Sequence, residues 1–245
     1  MTGRIVHIDK TRGFGFLISY DSRNIYFKLK NSQYDLRKND FVKFETIETP
    51  KGIEAVTLRK VYISKEGIFF FPRINKHHIH LDTDKYLKEI INNTHFDPEK
   101  EIIEIEYEFT DFIGDTYCVP ASPEDEIIYA VRKGRKGHSK FILNKNPKEC
   151  KTVTAIFKKV EDGYMIVTIY IGRKAAREPW DKRATQNDVD FWNNHALIFE
   201  KEKIIPGTET SFNPWILNEE SVCKVNWHDL IQKEKQTRPY VMSEV

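Results

Sequence analysis

One stretch of the sequence concentrates the residue types that can cleave RNA without a metal. Residues 132–140 hold five fixed cations, one histidine and no acid, and cations at this density attract phosphates. Thr168, Tyr170, Glu178 and His195 follow in the same half of the chain. Cleavage through the ribose 2′-hydroxyl needs a general base, a general acid for the leaving 5′-oxygen and positive charge beside the phosphorane. These residues supply candidates for all three roles.

Two predicted strands follow the basic stretch. Thr152–Lys159 and Tyr164–Ile171 are separated by Glu161-Asp162-Gly163, which is a hairpin signal. A basic element that carries a histidine, followed by such strands, resembles the fold group shared by barnase, colicin D and RelE-type ribonuclease toxins. The resemblance covers about residues 112–200 and rests on element order and residue types. It implies a C-terminal α+β domain with a twisted antiparallel sheet and metal-independent endoribonuclease activity.

The same resemblance implies two alternative sets of catalytic roles. In the first, His138 is the general acid or base. The residues that would then hold and position the scissile phosphate are Arg135, Lys140, Thr168 and Tyr170. In the second, Glu178 is the base, as in barnase, and His195 is the acid. The residue types leave both assignments open.

Each of these residues also has a purely structural explanation. A histidine after Lys-Gly is often a solvent-exposed loop residue, and threonine and tyrosine are common in strands. Trp180 and Trp192 are expected to be core anchors rather than platforms for bases. Asp181, in a turn, would cap the next element. The enzyme hypothesis therefore depends on the coincidence of cations, histidines and carboxylates in one segment.

A second candidate site lies near the amino terminus, in Gly13-Phe14-Gly15-Phe16 and Asn24-Ile25-Tyr26-Phe27-Lys28. Side chains alternate along a strand, so Phe14 and Phe16 share one face, and Tyr26 and Lys28 share one face of a neighbouring strand. Exposed rings in such an array can stack on unpaired bases. Single-stranded RNA or DNA is therefore the first partner to consider.

The residues around these motifs predict five short strands within residues 1–61, separated by turn signals. The predicted strands are Gly3–Ile8, Gly15–Ser19, Asn24–Leu29, Phe41–Glu48 and Glu54–Lys60. This part resembles a bacterial cold-shock domain, which is a small all-β OB-fold barrel. The resemblance also includes Thr2-Gly3 at the start and Asn39-Asp40-Phe41-Val42-Lys43-Phe44 before a late strand.

The cold-shock resemblance implies that Phe14, Phe16 and Tyr26 stack on a single strand. His7 stands where the family usually carries tryptophan, and Lys28 where it usually carries histidine. Both differences exchange stacking area for charge or hydrogen bonding. The alternative is a barrel that has kept its shape but lost its ligand, or that docks on its own neighbour. Elsewhere in the chain, the cations Arg132, Lys133 and Lys136 are predicted to bind the phosphates of a nucleic acid.

The remaining segments predict a four-part chain. Residues 1–61 form the cold-shock-like barrel, 62–111 an accessory segment, 112–225 the α+β ribonuclease domain and 226–245 a C-terminal tail. The accessory segment carries seven acidic residues against one lysine between positions 97 and 111, and this stretch includes a predicted strand over Ile102–Phe109. This strand either faces a basic neighbour or places its carboxylates in solvent over an apolar face.

Composition and residue spacing argue against disulfide-bonded, zinc-binding and membrane-spanning proteins. Lys+Arg 39 against Asp+Glu 37 gives a net charge of +2 and identifies no partner by itself. Three cysteines without a CxxC pair argue against a disulfide framework or a zinc site, and favour a reducing cytoplasm. No apolar run is long enough for a membrane helix. His77, His78 and His80 lack persuasive metal-ligand spacing, so no metal and no cofactor is expected.

Together these observations favour a cytoplasmic endoribonuclease in which the barrel captures single-stranded RNA and the C-terminal domain cleaves it. It would be a toxin of a toxin–antitoxin or defence system, restrained by an antitoxin, an inhibitor protein or its own acidic segment. The alternative is a non-catalytic protein that binds or remodels single-stranded RNA. A third hypothesis makes the C-terminal half a protein-interaction module.

Overall fold

The computed structural model describes residues 1–72, 83–201 and 216–236, so the histidines at 77–80 lie outside the described residues. The chain forms two compact units. The first comprises Met1–Tyr107 and Ala155–Tyr170, and the second Glu108–Thr154 and Ile171–Val245. This division differs from the boundaries predicted from sequence, because residues 155–170 pack with the N-terminal part and not with the rest of the C-terminal half.

The first unit begins with a closed barrel of five strands. These strands are β1 Thr2–Asp9, β2 Phe14–Ser19, β3 Asn24–Lys28, β4 Phe41–Thr49 and β5 Gly52–Ile63. Their order is β3-β2-β1-β4-β5, all neighbours are antiparallel, and a parallel pairing of β3 with β5 closes the barrel. This is the OB-fold topology.

Alternation of side chains builds the barrel core. The buried apolar residues are Ile5, Leu17, Ile25, Phe27, Leu36, Val42, Phe44, Ala55 and Leu58. Gly15 allows β1 and Phe27 to approach closely, because a Cβ there would lie 2.5 Å from the Phe27 ring and 2.6 Å from the carbonyl oxygen of His7. The glycine between Phe14 and Phe16 is thus required by packing.

The rest of the first unit extends the barrel sheet. Its further elements are β6 Phe69–Phe71, α1 Thr83–Asn93, β7 Ile102–Glu108, β13 Thr152–Val160 and β14 Gly163–Ile171. The sheet continues from β5 in the order β6-β14-β13-β7, and β6 runs parallel to β14. Phe70 packs against Phe96, Phe157 and Tyr164, with ring centroids 4.6–5.8 Å apart. The predicted hairpin strands therefore complete a sheet of the first unit.

The second unit contains the remaining described elements. These are β8 Gly114–Thr116, β9 Cys118–Pro120, β10 Ile127–Val131, β11 His138–Ile142, β12 Lys148–Cys150, α2 Gln186–Asn194, β15 His195–Ile198 and α3 Trp227–Gln236. Its main sheet has the order β10-β11-β15-β9. The sheet is mixed, because β11 and β15 run parallel while the outer pairs are antiparallel. This differs from the antiparallel sheet that the ribonuclease resemblance implies.

The three cysteines, Cys118, Cys150 and Cys223, form no disulfide. Within the described ranges, no helix has the length and apolar character to cross a bilayer. The same residues contain no group of three or more His, Cys, Asp or Glu side chains arranged to hold a metal ion.

Candidate nucleic-acid interface

Four rings form a continuous cluster on the outside of the barrel. Phe16 lies 5.8 Å from Tyr26 and 5.9 Å from Phe14 between ring centroids, with both pairs in edge-to-face orientation. Phe14 also lies 5.9 Å from Tyr26, and His7 lies 6.3 Å from both phenylalanines. We call His7, Phe14, Phe16 and Tyr26 the ring cluster. His7 is exposed, and the other three rings are half-buried.

Strand register explains how residues distant in sequence meet here. His7 on β1 lies opposite Phe16 on β2, and Phe16 lies opposite Tyr26 on β3. Phe14 lies opposite Lys28 one step along the same strands. Cross-strand partners share a face of the sheet. The three strands thus place the ring cluster and Lys28 on one outward face.

Cations lie around the ring cluster. The Arg12 guanidinium is 4.9 Å from the centroid of the Phe14 ring. Lys28 forms an ion pair with Glu54, whose carboxylate accepts a 2.8 Å hydrogen bond from Lys28 Nζ and a 3.0 Å hydrogen bond from the side-chain amide of Asn31. This hydrogen bond raises the pKa of Lys28 and lowers the pKa of Glu54 below its usual value. Lys28 therefore does not present an uncompensated charge.

A groove of about 420 Å³ begins beside His7. Its lining residues are Val6, His7, Ile8, Lys10, Leu36, Arg37 and Lys38. Lys10 and Arg37 both approach Asp35, at 2.8 Å and 3.8 Å. The groove thus has an apolar floor, and Asp35 compensates part of the positive charge along its walls.

The second unit holds the other candidate site, an open cavity of about 270 Å³. It is lined by Arg132, Arg135, Ala175, Ala176, Glu178, Trp180, Asp181, Trp192 and Leu197. Arg132 donates from Nη2 to Glu178 at 2.6 Å and from Nε to Ser139 Oγ at 3.0 Å, and Ser139 donates to the second oxygen of Glu178. Arg135 is exposed and forms no ion pair within the described residues. The cavity thus combines a paired carboxylate with an arginine that can meet an anion.

The two predicted catalytic histidines do not line this cavity. His138 is the first residue of β11, and its Nε2 lies 3.2 Å from the carbonyl oxygen of Ser221. His195 stacks on Phe191 with centroids 4.1 Å apart, and its Nδ1 lies 3.0 Å from the Phe191 carbonyl oxygen. Both rings thus have structural contacts where they stand.

The other predicted site residues are dispersed. Lys140 is buried, and its Nζ donates to the carbonyl oxygens of Trp192 and Asn193 at the end of α2, at 3.1 Å and 2.8 Å. Burial lowers its pKa. Lys133 and Lys136 are exposed between β10 and β11. Thr168 and Tyr170 lie on β14 and belong to the first unit.

Sequence reasoning missed the roles of three residues at the two candidate sites: Arg12, Ser139 and Gly137. Arg12 stands in the turn directly before the Gly-Phe-Gly-Phe motif, so its position was a usable signal. Ser139 follows His138, but no sequence pattern predicts that its hydroxyl bonds to both Arg132 and Glu178. These partners are 7 and 39 residues away along the chain, and only the fold brings them together. Gly137 allows Trp180, which lines the cavity, to pack against the backbone, since a Cβ at position 137 would lie 2.2 Å from Cγ of Trp180.

Comparisons with known proteins show no family for this chain. No protein-family model matches the chain, and no curated protein matches it. The solved structures that match include Drosophila Unr CSD456, which is 13% identical. The match covers 70% of this chain and 62% of that one, with a TM-score of 0.23. This chain thus spans less than two thirds of that structure, and the fold assignment rests on strand pairing alone.

Proposed function

We propose that the protein binds single-stranded RNA or DNA on the outer face of its N-terminal barrel. The observation that carries the proposal is the ring cluster, in which each of four rings from three strands lies within 6.3 Å of at least two others and remains accessible. Each base that stacks on such a ring contributes about 1–3 kcal/mol to the binding free energy, whichever of the bases it is. Arg12, which is paired with Asp9 at 2.6 Å, and the exposed Lys38 of the groove beside His7 lie where the backbone of such a strand would pass.

The spacing of the rings favours a single strand over a duplex. The ring centroids of Phe14 and Phe16, which are two positions apart on one strand, lie 5.9 Å apart. Stacked nucleotides along one strand of a duplex are only about 3.4 Å apart. Bases that occupy successive rings must therefore be unstacked, which a single strand permits.

The test compares two phenylalanines in the full-length protein. Phe16→Ala removes a ring of the cluster, and Phe112→Ala removes a ring that is 59% exposed in the second unit. Fluorescence anisotropy with a labelled uridine hexamer should show about a 5- to 150-fold loss of affinity for Phe16→Ala only. Equal affinities in the two variants would rule out the ring cluster as the binding surface.

The second candidate function is the predicted endoribonuclease, located at the cavity of the second unit. A specific observation favours Glu178 over His138 as the base: Glu178 lines an open cavity beside Arg132 and Arg135, whereas His138 does not. His195, the acid of the assignment in which Glu178 is the base, also lies outside this lining. In this assignment Glu178 is the base and the arginines stabilise the phosphorane charge. The toxin role, the antitoxin or inhibitor and the cytoplasmic location remain predictions.

Incubation of the protein with mixed RNA in EDTA tests this candidate. If Glu178 is the base, Glu178→Gln should abolish cleavage, while Glu149→Gln, an exposed site on β12, should not. RNA that is bound but stays intact with the wild-type protein would favour the non-catalytic alternative. Cleavage that survives Glu178→Gln and is lost in His138→Ala or His195→Ala would restore a histidine-based assignment.

A further inference from the structure

The outward face of the barrel continues beyond the ring cluster. On β2 the outward residues are Phe14, Phe16 and Ile18, because burial alternates along the strand. Ile18 lies opposite Arg4 on β1, and Arg4 lies opposite Phe41 on β4. Ile18, Arg4 and Phe41 therefore form a row across three strands, one step from the row that contains His7, Phe16 and Tyr26.

The side chains of this row are unusually accessible for their types. Ile18 is 41% exposed and Phe41 is 44% exposed, and Tyr20, directly after β2, is 94% exposed. Arg4 is exposed between Ile18 and Phe41, and it forms no ion pair with any described residue. We call Arg4, Ile18, Tyr20 and Phe41 the extension patch. It combines apolar contact area with one cation that no carboxylate of the described residues compensates.

We propose that the extension patch binds the nucleotides that follow those held by the ring cluster. This inference rests on the proposed function and adds the length and path of the bound strand. Phe41 would stack on a base, Ile18 would pack against its neighbour, and Arg4 would bind the phosphate that joins them. The footprint thus runs diagonally from Phe14 on β2 to Phe41 on β4.

Geometry supports a nucleotide as the occupant. Along β2 the two rows are two residues apart, about 6.6 Å between Cα atoms, which is the same step that separates Phe14 from Phe16. One stretched strand can therefore follow β2 from the ring cluster to Ile18 without a change of spacing. A guanidinium between two apolar groups matches a phosphate flanked by two bases. Four side chains are also far too few for a stable protein interface, which buries about 800 Å² on each partner.

The experiment measures how affinity depends on oligonucleotide length. Uridine trimers and hexamers, both labelled, are titrated with wild-type protein and with Phe41→Ser, and Phe112→Ser serves as a control of the same residue type in the second unit. The gain in affinity from trimer to hexamer should be smaller by at least about fivefold in Phe41→Ser than in the control. Thermal melting curves establish that each variant is folded.

Arg4→Gln supplies an independent readout. Loss of one phosphate contact reduces the slope of log affinity against log salt concentration by about 0.7 for a single strand. This reduction should be seen with the hexamer and not with the trimer. Arg177→Gln, at an exposed arginine of the second unit, should leave both slopes unchanged.

The outcomes separate this inference from the proposed function. If the wild-type protein binds the hexamer and Phe41→Ser retains the full gain with length, the extension patch does not hold nucleotides and the inference is overturned, while the ring cluster keeps its role. If neither the wild-type protein nor any variant binds either oligonucleotide, the proposed function fails together with the inference. A selective loss with the hexamer supports both.

Discussion

At the scale of single residues, Lys28 shows how a neighbouring carboxylate limits a cation. Its Nζ is 2.8 Å from Glu54, whose side chain is only 9% exposed, and the pair lies beside Tyr26. A lysine held in this way contributes little to the binding of phosphate, because its charge is already compensated. In the proposed complex, Glu54 would thus limit the contribution of Lys28 to the affinity for nucleic acid.

We predict that Glu54→Gln increases affinity for a uridine hexamer. The released Lys28 gains a phosphate contact, so the salt slope should steepen by about 0.7. Glu48→Gln makes the same charge change at an exposed position of β4 and serves as the control. If both variants gain equally, the effect is due to overall charge and not to the release of Lys28.

Asp181 provides a prediction on pH dependence. Hydrogen bonds from the Arg183 side chain, at 3.0 Å and 3.2 Å, and from its backbone lower the pKa of Asp181 to about 2. A carboxyl whose pKa falls on folding stabilises the native state above its unfolded value of 3.8, and this contribution is lost as the pH falls from there toward 2. The stabilisation is therefore complete at neutral pH.

The measurement is the urea midpoint at a series of pH values. Asp181→Asn should lower the midpoint at pH 6, and its difference from wild type should shrink between pH 4 and pH 2.5, as the linkage relation requires. Asp115→Asn makes the same substitution at an exposed position of β8 and serves as the control. If the difference in urea midpoint between wild type and Asp181→Asn stays constant over this pH range, the charge of Asp181 is not the cause of the stabilisation.

At the scale of elements, α2 organises the cavity of the second unit. Thr185 and Asp188 form a capping box at its start, and Trp192 donates from its indole nitrogen to the carbonyl oxygens of Ala176 and Arg177. Lys140 donates to the carbonyl groups at the other end, where a cation also meets the negative end of the helix dipole. One short helix thus fixes two walls of the cavity.

We predict that Thr185→Ala destabilises the protein by about 1 kcal/mol, because Asp188 loses the acceptor for its backbone amide. Chemical denaturation followed by tryptophan fluorescence measures the loss. Thr110→Ala, at an exposed threonine of the same unit, should change the free energy of unfolding much less. A comparable loss in both variants would mean that the cap adds no specific stability.

The barrel elements could be predicted from sequence because their signals are local. Predicted Gly3–Ile8 and Phe41–Glu48 agree with the observed Thr2–Asp9 and Phe41–Thr49 within two residues at each end. Alternation of apolar residues between turn signals determines such strands. The outward direction of Phe14 and Phe16 follows from the same alternation.

The candidate site of the C-terminal half could not be predicted in the same way. The strands at Thr152 and Tyr164 were placed correctly along the chain, but the pairing of β14 with β6 joins residues about 95 positions apart, and no local pattern specifies such a pairing. As a result Thr168 and Tyr170 belong to the first unit. The ion pair of Arg132 with Glu178 likewise depends on a separation of 46 residues.

At the scale of the whole molecule, the two units are interleaved in sequence. Residues 108–154 of the second unit are inserted between two parts of the first. The insertion leaves and returns at neighbouring points, because the backbone amide of Phe109 donates to the carbonyl oxygen of Lys151 at 2.9 Å. An insertion with adjacent ends can in principle be replaced by a tight turn.

We therefore predict different behaviour for two shortened chains. A fragment that ends at residue 111 lacks β13 and β14, which lie between β6 and β7 in the sheet, and should show no cooperative unfolding. A chain in which residues 110–150 are replaced by Asn-Gly, a turn that suits an antiparallel pair, and which ends at residue 171 should unfold cooperatively. It should also bind the uridine hexamer with wild-type affinity. If the fragment ending at residue 111 unfolds as cooperatively as this chain, residues 155–170 are dispensable and the sheet is not the stabilising element of the first unit.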